Sequence, residues 1–436
     1  MSSSPEEVLS AGTLTHLPGT TNPRVAYGPS FSCHSKRNVM KYRGTRQQHA
    51  THQARQVKIL RFTQNDKATP MNMPTSSVDA QVLDFIHDPH GKDFNTLALT
   101  VFAQQFQRNF PYQRFCLTRR QTPDTVTRWQ DIPAVPTVAF KELDLTCGPP
   151  EKIFLTSGTS RGPEKRGRHL VPDLALYHAS AISHFSACVL PDNRRLRTLA
   201  LIPSPEARPQ SSLTQMADWI LKGLSSEGSN YFIDPAGLHI EAFADAVARA
   251  QHEGIPVCVL AITSALVAFF DWCETNGRQF ALPGGSRIMD TGGNKGMQRR
   301  VSRNGILQSC WKYLKVAGYY CVNEYGMTEM ASQFYDNVLY NRFRQSNEPR
   351  YKLGPHWVRT LVVDPETLQE VPSGRTGILR HFDLANCGSV MAIQTDDLGY
   401  TVGVGFEITG RVPGAEARGC ALMLEELLTG QGEHKA

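Results

Sequence analysis

Residues 156–167 read TSGTSRGPEKRG, after a short apolar run at 153–155 and before a segment with helical character. Small hydroxyl residues and glycines that follow a strand form a loop whose backbone N–H groups can turn toward an anion. Arg161, Lys165 and Arg166 add positive charge. The stretch is not a Walker A loop, because it lacks the Gly-Lys-Ser/Thr ending of that motif. It predicts either a polyphosphate-binding loop or a plain surface loop.

Positive charge is concentrated in one part of the chain. Residues 1–72 contain ten Lys and Arg against three Asp and Glu, whereas the remaining residues contain 36 basic and 37 acidic side chains. The formal charge of +6 for the 436 residues therefore comes from the first part. Because the body of the chain is electrically balanced, nucleic acid is not expected as a partner.

Residues 1–72 also differ in composition, since Ser, Thr, Gly, Pro, Arg and His dominate without an apolar period. Such a segment buries too little apolar surface to fold. We expect a disordered extension, or sequence upstream of a working start at Met71 or Met73, and a basic targeting arm is the alternative. The pattern of apolar and turn residues in the remaining chain predicts an α/β domain over 73–355 and a β-rich part over 356–436.

The ten cysteines are scattered and form no CxxC pair, which argues against zinc ribbons and thioredoxin-type redox sites. Cysteines inside apolar runs, with no visible secretory signal, are typical of a cytoplasmic protein. An apolar run at 255–270 has 16 residues, fewer than the roughly 20 that a membrane span needs. The sequence therefore predicts no membrane span there, but a buried strand followed by a helix that begins near Thr263.

Strand and helix patterns alternate between residues 172 and 323. Apolar strands are predicted at 196–202, 257–261, 287–290 and 319–323, and helices at 172–189, 211–224, 240–252, 263–275 and 295–316, the last broken near Gly305. This alternation predicts an α/β fold of layered, parallel-rich sheets with flanking helices. From about residue 355, short strands and turns predict a small β-rich subdomain, followed by a helix at 422–428.

In a parallel sheet, the residues that do chemistry follow the carboxyl ends of the strands. Two glycine-rich or hydroxyl-rich stretches besides the opening loop are expected there, at 291–296 and 323–329. The second reads NEYGMTE. Its Tyr325 offers a flat face for a base, Thr328 a hydroxyl for a phosphate and Glu329 a carboxylate for Mg²⁺. Together with the opening loop, this stretch predicts a nucleotide site.

Four motifs in order resemble those of the adenylate-forming superfamily, which includes acyl-CoA synthetases, adenylation domains and firefly-type luciferase. The loop at 156–165 is similar to the superfamily's phosphate loop and departs from it mainly at 160–161. The NEYGMTE stretch is similar to its nucleotide motif. TDDLG at 395–399 resembles its Thr-Gly-Asp-Leu-Gly, and the Gly-Arg pair at 410–411 resembles its hinge.

A closer resemblance is to the LuxE family, the acyl-protein synthetases of bacterial fatty-acid reductase. The matching stretches are PSPE at 203–206, GGNKG at 292–296, NEYGMTE at 323–329 and GRVPGAEARGC at 410–420. The resemblance covers about residue 75 to the end. It implies ATP-dependent activation of a fatty acid as an acyl-adenylate and transfer of the acyl group to a thiol. It also implies a partner, either an acyl donor protein or a fatty-acid reductase.

The resemblance assigns roles to individual residues. Thr328 would contact the α-phosphate and Glu329 would hold Mg²⁺. The other residues implied to bind ATP are Thr156, Ser157, Gly158, Thr159 and Ser160 for the triphosphate, Gly292 and Gly293 for backbone approach to adenine, Tyr325 with Gly326 for the base, Asp397 for the ribose and Arg411 for phosphate. In the LuxE family the acyl acceptor is a cysteine near the C-terminus, and Cys420 occupies that place here.

Several alternatives remain open. Cys420 could instead be a small core residue, and an acyl-CoA or acyl-carrier-protein ligase would use another acceptor. The departures at Ser160 and Arg161 are also compatible with a non-catalytic partner subunit of a fatty-acid reductase complex. His169 follows the phosphate loop closely, so it could meet a phosphate or the substrate carboxylate.

Overall fold

The computed structural model describes residues 77–156, 166–292 and 301–412. Six predicted site residues lie outside these ranges: Ser157, Gly158, Thr159, Ser160, Gly293 and Cys420. The extension at 1–72 and the helix at 422–428 also lie outside the described residues. What was inferred for these segments stays a prediction.

The described helices are α1 (Ser77–His87), α2 (Phe94–Arg108), α3 (Phe110–Thr118), α4 (Ala139–Glu142), α5 (Leu174–Val189), α6 (Ser212–Gly223), α7 (Ile240–Glu253), α8 (Thr263–Thr275), α9 (Arg303–Leu314) and α10 (Val338–Arg344). The described strands are β1 (Val135–Pro136), β2 (Lys152–Leu155), β3 (Arg168–Val171), β4 (Arg197–Pro203), β5 (Asn230–Asp234), β6 (Gly237–Leu238), β7 (Val257–Ile262), β8 (Arg287–Thr291), β9 (Cys321–Tyr325), β10 (Phe334–Asp336), β11 (Lys352–Leu353), β12 (Val358–Val363), β13 (Gly377–Asp383), β14 (Ala392–Val402) and β15 (Gly405–Arg411).

The predicted parallel sheet is formed by β5, β4, β7, β8 and β9, which pair side by side in that order. Both faces of β7 are buried. Val257 and Val259 pack into one apolar cluster with residues of α7, α8 and α9, whereas Cys258 and Leu260 pack into another with residues of α5 and α6. A strand buried on both faces has no polar alternation, which explains the continuous apolar run in the sequence. The α/β prediction is confirmed.

The β-rich part predicted after residue 355 consists of antiparallel strands, but these strands continue the same sheet. The order runs β12-β13-β14-β15-β11-β10-β9, so β10 and β11 connect the antiparallel strands to the parallel ones. The segment before the phosphate loop also contributes, because β1 pairs in parallel with β14. Strands on both sides of residue 355 belong to this one sheet. The domain boundary near residue 355 therefore stays a prediction.

The predicted phosphate loop lies between two strands that are not part of the parallel sheet. Leu155 ends β2 and Arg168 begins β3, and the two strands form an antiparallel two-stranded sheet of their own. The loop therefore joins the strands of a hairpin, and it does not follow a strand of the parallel sheet. The four-residue strand β3 was not predicted, because the run before α5 is too short to show a period.

Gly305 itself does not interrupt the helix predicted at 295–316. Residues 301–302 are not helical, α9 begins at Arg303, and residues 295–300 lie outside the described ranges. Ser302 caps α9, and its Oγ accepts a hydrogen bond of 3.1 Å from the Gly305 N–H. Gly305 thus lies in the first turn, where capping offsets its poor helix propensity. The strand predicted at 319–323 is displaced as well, since residues 318–320 form a 3-10 turn and β9 begins at Cys321.

None of the described helices combines the length and the apolar character needed to cross a membrane.

Candidate active site

Tyr325 on β9 meets Asp397 and Arg411 of the neighbouring strands β14 and β15. The Tyr325 phenol donates a hydrogen bond of 2.7 Å to Asp397 Oδ2, and Arg411 Nε donates one of 2.7 Å to Asp397 Oδ1. Asp397 on β14 and Arg411 on β15 are direct cross-strand partners. Both carboxylate oxygens of the buried Asp397 are therefore oriented by a donor, and Arg411 balances its charge.

The ring of Tyr325 is positioned by an aromatic cluster. Its centroid lies 5.8 Å from that of Phe334, 5.9 Å from that of His381 and 5.8 Å from that of Phe406. Burial, followed by the charge of Asp397, raises the pKa of the Tyr325 phenol well above its usual value. The phenol therefore keeps its proton and acts as a hydrogen-bond donor over the physiological range.

Two side chains bind the backbone carbonyl groups of the Thr328–Glu329 turn. His169 Nδ1 lies 2.6 Å from the Thr328 carbonyl oxygen, and Asn386 Nδ2 donates a 2.9 Å hydrogen bond to the Glu329 carbonyl. A carbonyl oxygen only accepts, so the Nδ1 nitrogen of His169 carries the proton. The turn is thus anchored to β3 and to the segment after β13.

The carboxyl group of Glu329 has a raised pKa. Burial raises its pKa to about 7, although Lys141 and Arg411 act in the opposite direction. The carboxyl is therefore poised to gain or lose a proton near neutral pH, and a cation bound beside it would favour the ionised form. Arg411 is close enough to Glu329 to lower the pKa of that carboxyl group, and Asp397 in turn raises the pKa of Arg411.

Glu324 was not predicted as a notable residue. It points away from the Asp397 side of β9, accepts a hydrogen bond from the hydroxyl of Thr291 and is only 5% exposed. Burial raises the pKa of its carboxyl to about 7. A Cβ atom at Gly326 would collide with Glu324 Oε1, so a larger residue at this position would force the Glu324 carboxyl group to move. The strand predicted at 319–323 ends before Glu324, so no pattern in the sequence indicated that this carboxyl group is buried.

Gly292, at the end of β8, has a φ of +88°, which a glycine adopts without strain. Its carbonyl accepts a 3.1 Å hydrogen bond from the hydroxyl of Thr263, the first residue of α8. Thr156, at the base of the phosphate loop, accepts a 2.9 Å hydrogen bond at Oγ1 from the Gly167 N–H. Its carbonyl accepts another of 2.8 Å from Arg166 Nε, which closes the base of the loop.

A buried ion network lies beneath the strand ends. Asp336 on β10 accepts from Lys352 Nζ at 2.7 Å and from Arg350 Nη1 at 2.5 Å, and it also meets Arg303 Nη2 at 3.3 Å. Arg303 bridges to Asp290 on β8. Burial acts to raise the pKa of Asp336, but the cations, Lys352 first, hold it below the usual value. The network ties β8, β10 and β11 to α9 and was not predicted from sequence.

The structure thus brings Tyr325, Asp397 and Arg411 into direct contact, with Glu329 near Arg411. Gly326 adjoins them, and the Thr328–Glu329 turn is fixed through its backbone. Thr156 and Gly292 lie at the base of two loops whose remaining predicted residues are outside the described ranges. This site combines a planar ring, an oriented carboxylate and a guanidinium, and that chemistry suits a nucleoside phosphate.

The fold is that of the adenylate-forming ligases. A 2-hydroxyisobutyryl-CoA ligase, solved with 2-HIB-AMP in a postadenylation state, superposes with a TM-score of 0.54 at 15% identity, covering 78% of this chain and 69% of that one. The same enzyme in an open conformation with 2-HIB-AMP and CoA gives a TM-score of 0.53 at 14% identity, covering 73% and 75%. At this identity the likeness concerns the fold.

The family follows from the sequence comparison. The model of the acyl-protein synthetase family LuxE matches residues 65–429, and the chain belongs to this family. A long-chain-fatty-acid–luciferin-component ligase of Aliivibrio fischeri is 22% identical over 350 residues, which is 76% of this chain and 88% of that protein. A ligase of the same name from Vibrio harveyi is 29% identical over 86 residues, 18% of this chain and 23% of that protein. The protein is therefore an acyl-activating enzyme of the acid–thiol ligase class.

Proposed function

We propose that this enzyme uses ATP to convert a fatty acid into an acyl-adenylate and then passes the acyl group to a protein thiol. The observation that carries the proposal is the link from Tyr325 through Asp397 to Arg411. A carboxylate oriented by two donors accepts hydrogen bonds from ribose hydroxyls, and the adjacent aromatic ring offers a face for the base. Arg411 adds a positive charge beside the phosphates.

Glu329 fits a magnesium ion that is bound jointly with phosphates. Mg²⁺ usually takes one or two carboxylates together with substrate phosphate oxygens. Among the described residues, no group of three or more His, Cys, Asp or Glu side chains could hold a metal by itself. The ion would therefore bind together with the nucleotide, where it supplies charge neutralisation on the phosphates. Glu329, with its pKa near 7, would be held ionised by that charge.

The chemistry proceeds in two displacements. A carboxylate oxygen of the acid bonds to the α-phosphorus of ATP, and pyrophosphate leaves with the electrons of the broken P–O bond. The sulfur of a thiolate then bonds to the carbonyl carbon of the acyl-adenylate, and AMP leaves. A thiolate is a strong nucleophile toward such a mixed anhydride. Thr328 and the loop that begins at Thr156 are the groups proposed to hold the phosphates during the first step.

A long-chain acid is the substrate class proposed here, and the name of the Aliivibrio fischeri relative supports it. The proposed acceptor is Cys420, which matches the position of the LuxE-family cysteine. A fatty-acid reductase that removes the acyl group, or an acyl carrier protein that delivers it, is the proposed partner.

Pyrophosphate exchange into ATP, measured with a panel of carboxylic acids, tests the activation step. We expect exchange with long-chain acids, and we expect Asp397→Ala to lower it by about tenfold or more, because a hydrogen-bonded charged group is lost. Asp245→Ala, which changes an exposed carboxylate on α7, is the matched control. Absence of exchange with every acid would support a non-catalytic partner subunit instead.

The acceptor is tested separately. Wild type and Cys420→Ser are incubated with ATP and radiolabelled fatty acid, and protein-bound label is measured after denaturation. We expect labelled wild type and unlabelled Cys420→Ser, with exchange activity retained in both. Label that persists in Cys420→Ser would exclude Cys420, and transfer to added CoA or acyl carrier protein would identify another acceptor.

A further inference from the structure

A short turn at residues 383–386, at the end of β13, binds the segment that follows the NEYGMTE motif. Asp383 is the last residue of β13, and Leu384–Asn386 form a 3-10 turn. The Ala385 N–H donates a 3.0 Å hydrogen bond to Asp383 Oδ1, which caps the turn. We call residues 383–386 the anchoring turn.

The anchoring turn binds the last residue of the motif and two residues beyond it. Asn386 Nδ2 donates a 2.9 Å hydrogen bond to the Glu329 carbonyl oxygen. Asp383 Oδ2 accepts a 3.0 Å hydrogen bond from the Ala331 N–H, and Asp383 Oδ1 accepts one of 2.7 Å from the Ser332 hydroxyl. The Asp383 carboxylate therefore joins two segments that are 51 residues apart in the chain.

The hydroxyl proton of Ser332 is directed at Asp383 by a second layer of contacts. Trp357 Nε1 donates a 3.0 Å hydrogen bond to Ser332 Oγ, and Ser180 Oγ lies 2.9 Å from the same oxygen. An indole N–H only donates, so Ser332 Oγ accepts from it and keeps its own proton for the carboxylate. All four side chains are buried, which fixes this set of partners.

The Asp383 carboxylate is buried without a counter-ion. Its residue is 0% exposed, and it forms no ion pair with another residue in the described part of the chain. Burial raises the pKa of Asp383 to about 6, and the hydrogen bonds from Ser332, Ala331 and Ala385 act in the opposite direction. Burying a charge is unfavourable unless hydrogen bonds compensate it, and an apolar side chain would fill this place without that cost. The carboxylate is therefore suited to joining the two segments.

We propose that Asp383 is a positioning residue for adenylation, which acts through the backbone on Thr328 and Glu329. Asp383 holds the segment after the motif by two hydrogen bonds, and Asn386 holds the Glu329 carbonyl itself, so the turn keeps one backbone conformation. Groups that orient a metal-binding side chain from behind typically contribute about 10–100-fold to metal affinity or activity. The proposal rests on the proposed function, in which Thr328 meets the α-phosphate and Glu329 holds Mg²⁺.

Asp383→Asn is the first test, because the amide has the same size and one acceptor oxygen fewer. Its NH₂ group faces at least one of the donors that the carboxylate binds, and two donors cannot pair. We expect the KM for ATP in pyrophosphate exchange, and the Mg²⁺ concentration at half-maximal rate, to rise about tenfold. Asp364→Asn is the matched control, because Asp364 accepts from the N–H groups of Glu366 and Thr367 in another turn. It should leave both values unchanged.

A loss of folded protein gives a different result. It lowers the maximal rate of exchange but leaves the KM for ATP and the Mg²⁺ dependence unchanged, because the remaining folded molecules are intact. That outcome for Asp383→Asn would overturn the proposal. Ser332→Ala is a milder variant that removes one donor to Asp383, and we expect it to raise the KM for ATP about threefold. If Asp383→Asn does not fold, an unchanged KM in Ser332→Ala would overturn the proposal.

Hydrogen exchange of the full chain without ATP tests the fixed backbone independently of activity. The Ala331 N–H, which is bonded to Asp383, should exchange about tenfold faster in Asp383→Asn. The amides of the buried strand β7 should keep their protection. Equal exchange of the Ala331 amide in both proteins would overturn the proposal. If the wild type showed no pyrophosphate exchange with any acid, the proposed function would fail, and the Ala331 amide would still decide whether Asp383 fixes the segment.

Discussion

The phenol of Tyr325 and the carboxylate of Asp397 lie 72 residues apart in the chain and are joined by a 2.7 Å hydrogen bond. The bond connects β9, the last strand of the parallel part, with β14 of the antiparallel part. Because β10, β11 and β15 lie between these two strands in the sheet, the contact depends on the curvature of the whole sheet. Two motifs that are separate in sequence thus become one site.

Tyr325→Phe tests this contact, because it keeps the ring and removes the hydroxyl. Asp397 then loses one of its two oriented donors. A hydrogen bond to a charged group contributes about 1.5–3 kcal/mol, so the KM for ATP in pyrophosphate exchange should rise by about tenfold or more. Tyr313→Phe is the control, because Tyr313 is a buried tyrosine of α9 that packs in a different apolar cluster from Tyr325. An unchanged KM in Tyr325→Phe would mean that the bond does not position Asp397.

Arg411→Ala should separate activity from stability. The Arg411 side chain is 67% exposed, so loss of its ion pair with Asp397 should change the free energy of unfolding by less than about 1 kcal/mol. The KM for ATP should nevertheless rise, because Arg411 supplies both orientation and charge. Chemical denaturation and pyrophosphate exchange measure the two effects. Arg128→Ala removes an arginine of similar exposure, 64%, from its pair with Asp131 and should leave both quantities unchanged.

Glu324→Gln should change how stability depends on pH. Burial raises the pKa of Glu324 from 4.5 to about 7, so the folded protein binds this proton more tightly than the unfolded chain does. The resulting stabilisation is complete below pH 4.5 and disappears as the pH rises through 7. The wild type should therefore lose about 3 kcal/mol that Glu324→Gln does not lose. Denaturant unfolding at several pH values measures the difference, and parallel profiles would contradict it.

Asp336→Asn should be strongly destabilising. The carboxylate is buried and faces Lys352, Arg350 and Arg303, so its removal leaves the buried Lys352 and two partly buried arginines short of one negative charge. Breaking such a network costs about 3–5 kcal/mol. Asp131→Asn breaks the exposed pair with Arg128 and should cost less than about 1 kcal/mol. If the two substitutions lowered the unfolding free energy equally, the network would not be a major stabilising element.

The α/β class could be predicted from the sequence, because the fold class depends on the local periodicity of apolar residues. The helix predicted at 263–275 is α8, and the strand predicted at 257–261 is β7 apart from one residue. The family resemblance is also confirmed, since the motifs are contiguous and keep their order. The assigned roles in ATP binding and at Cys420 stay predictions.

The missed features are those that depend on distant residues. Glu324 has a raised pKa because other elements bury it, and the ion network around Asp336 joins side chains from β8, β10, β11 and α9. His169 lies near the phosphate loop in sequence, yet its partner is the Thr328 carbonyl, 159 residues later. The pattern of a single sequence does not predict contacts between residues that are so far apart in the chain.

Sequence alone determined the alternation of strands and helices, the order of the motifs and the family, because these depend on spacing and residue type within short stretches. Tertiary structure decided that the phosphate loop joins a hairpin, that Asp397 is oriented by Tyr325 and Arg411, and that the turn at residues 383–386 binds the segment after the NEYGMTE motif. These features arise where segments far apart in the chain pack together. Burial and hydrogen bonding there set the charge state and direction of each side chain.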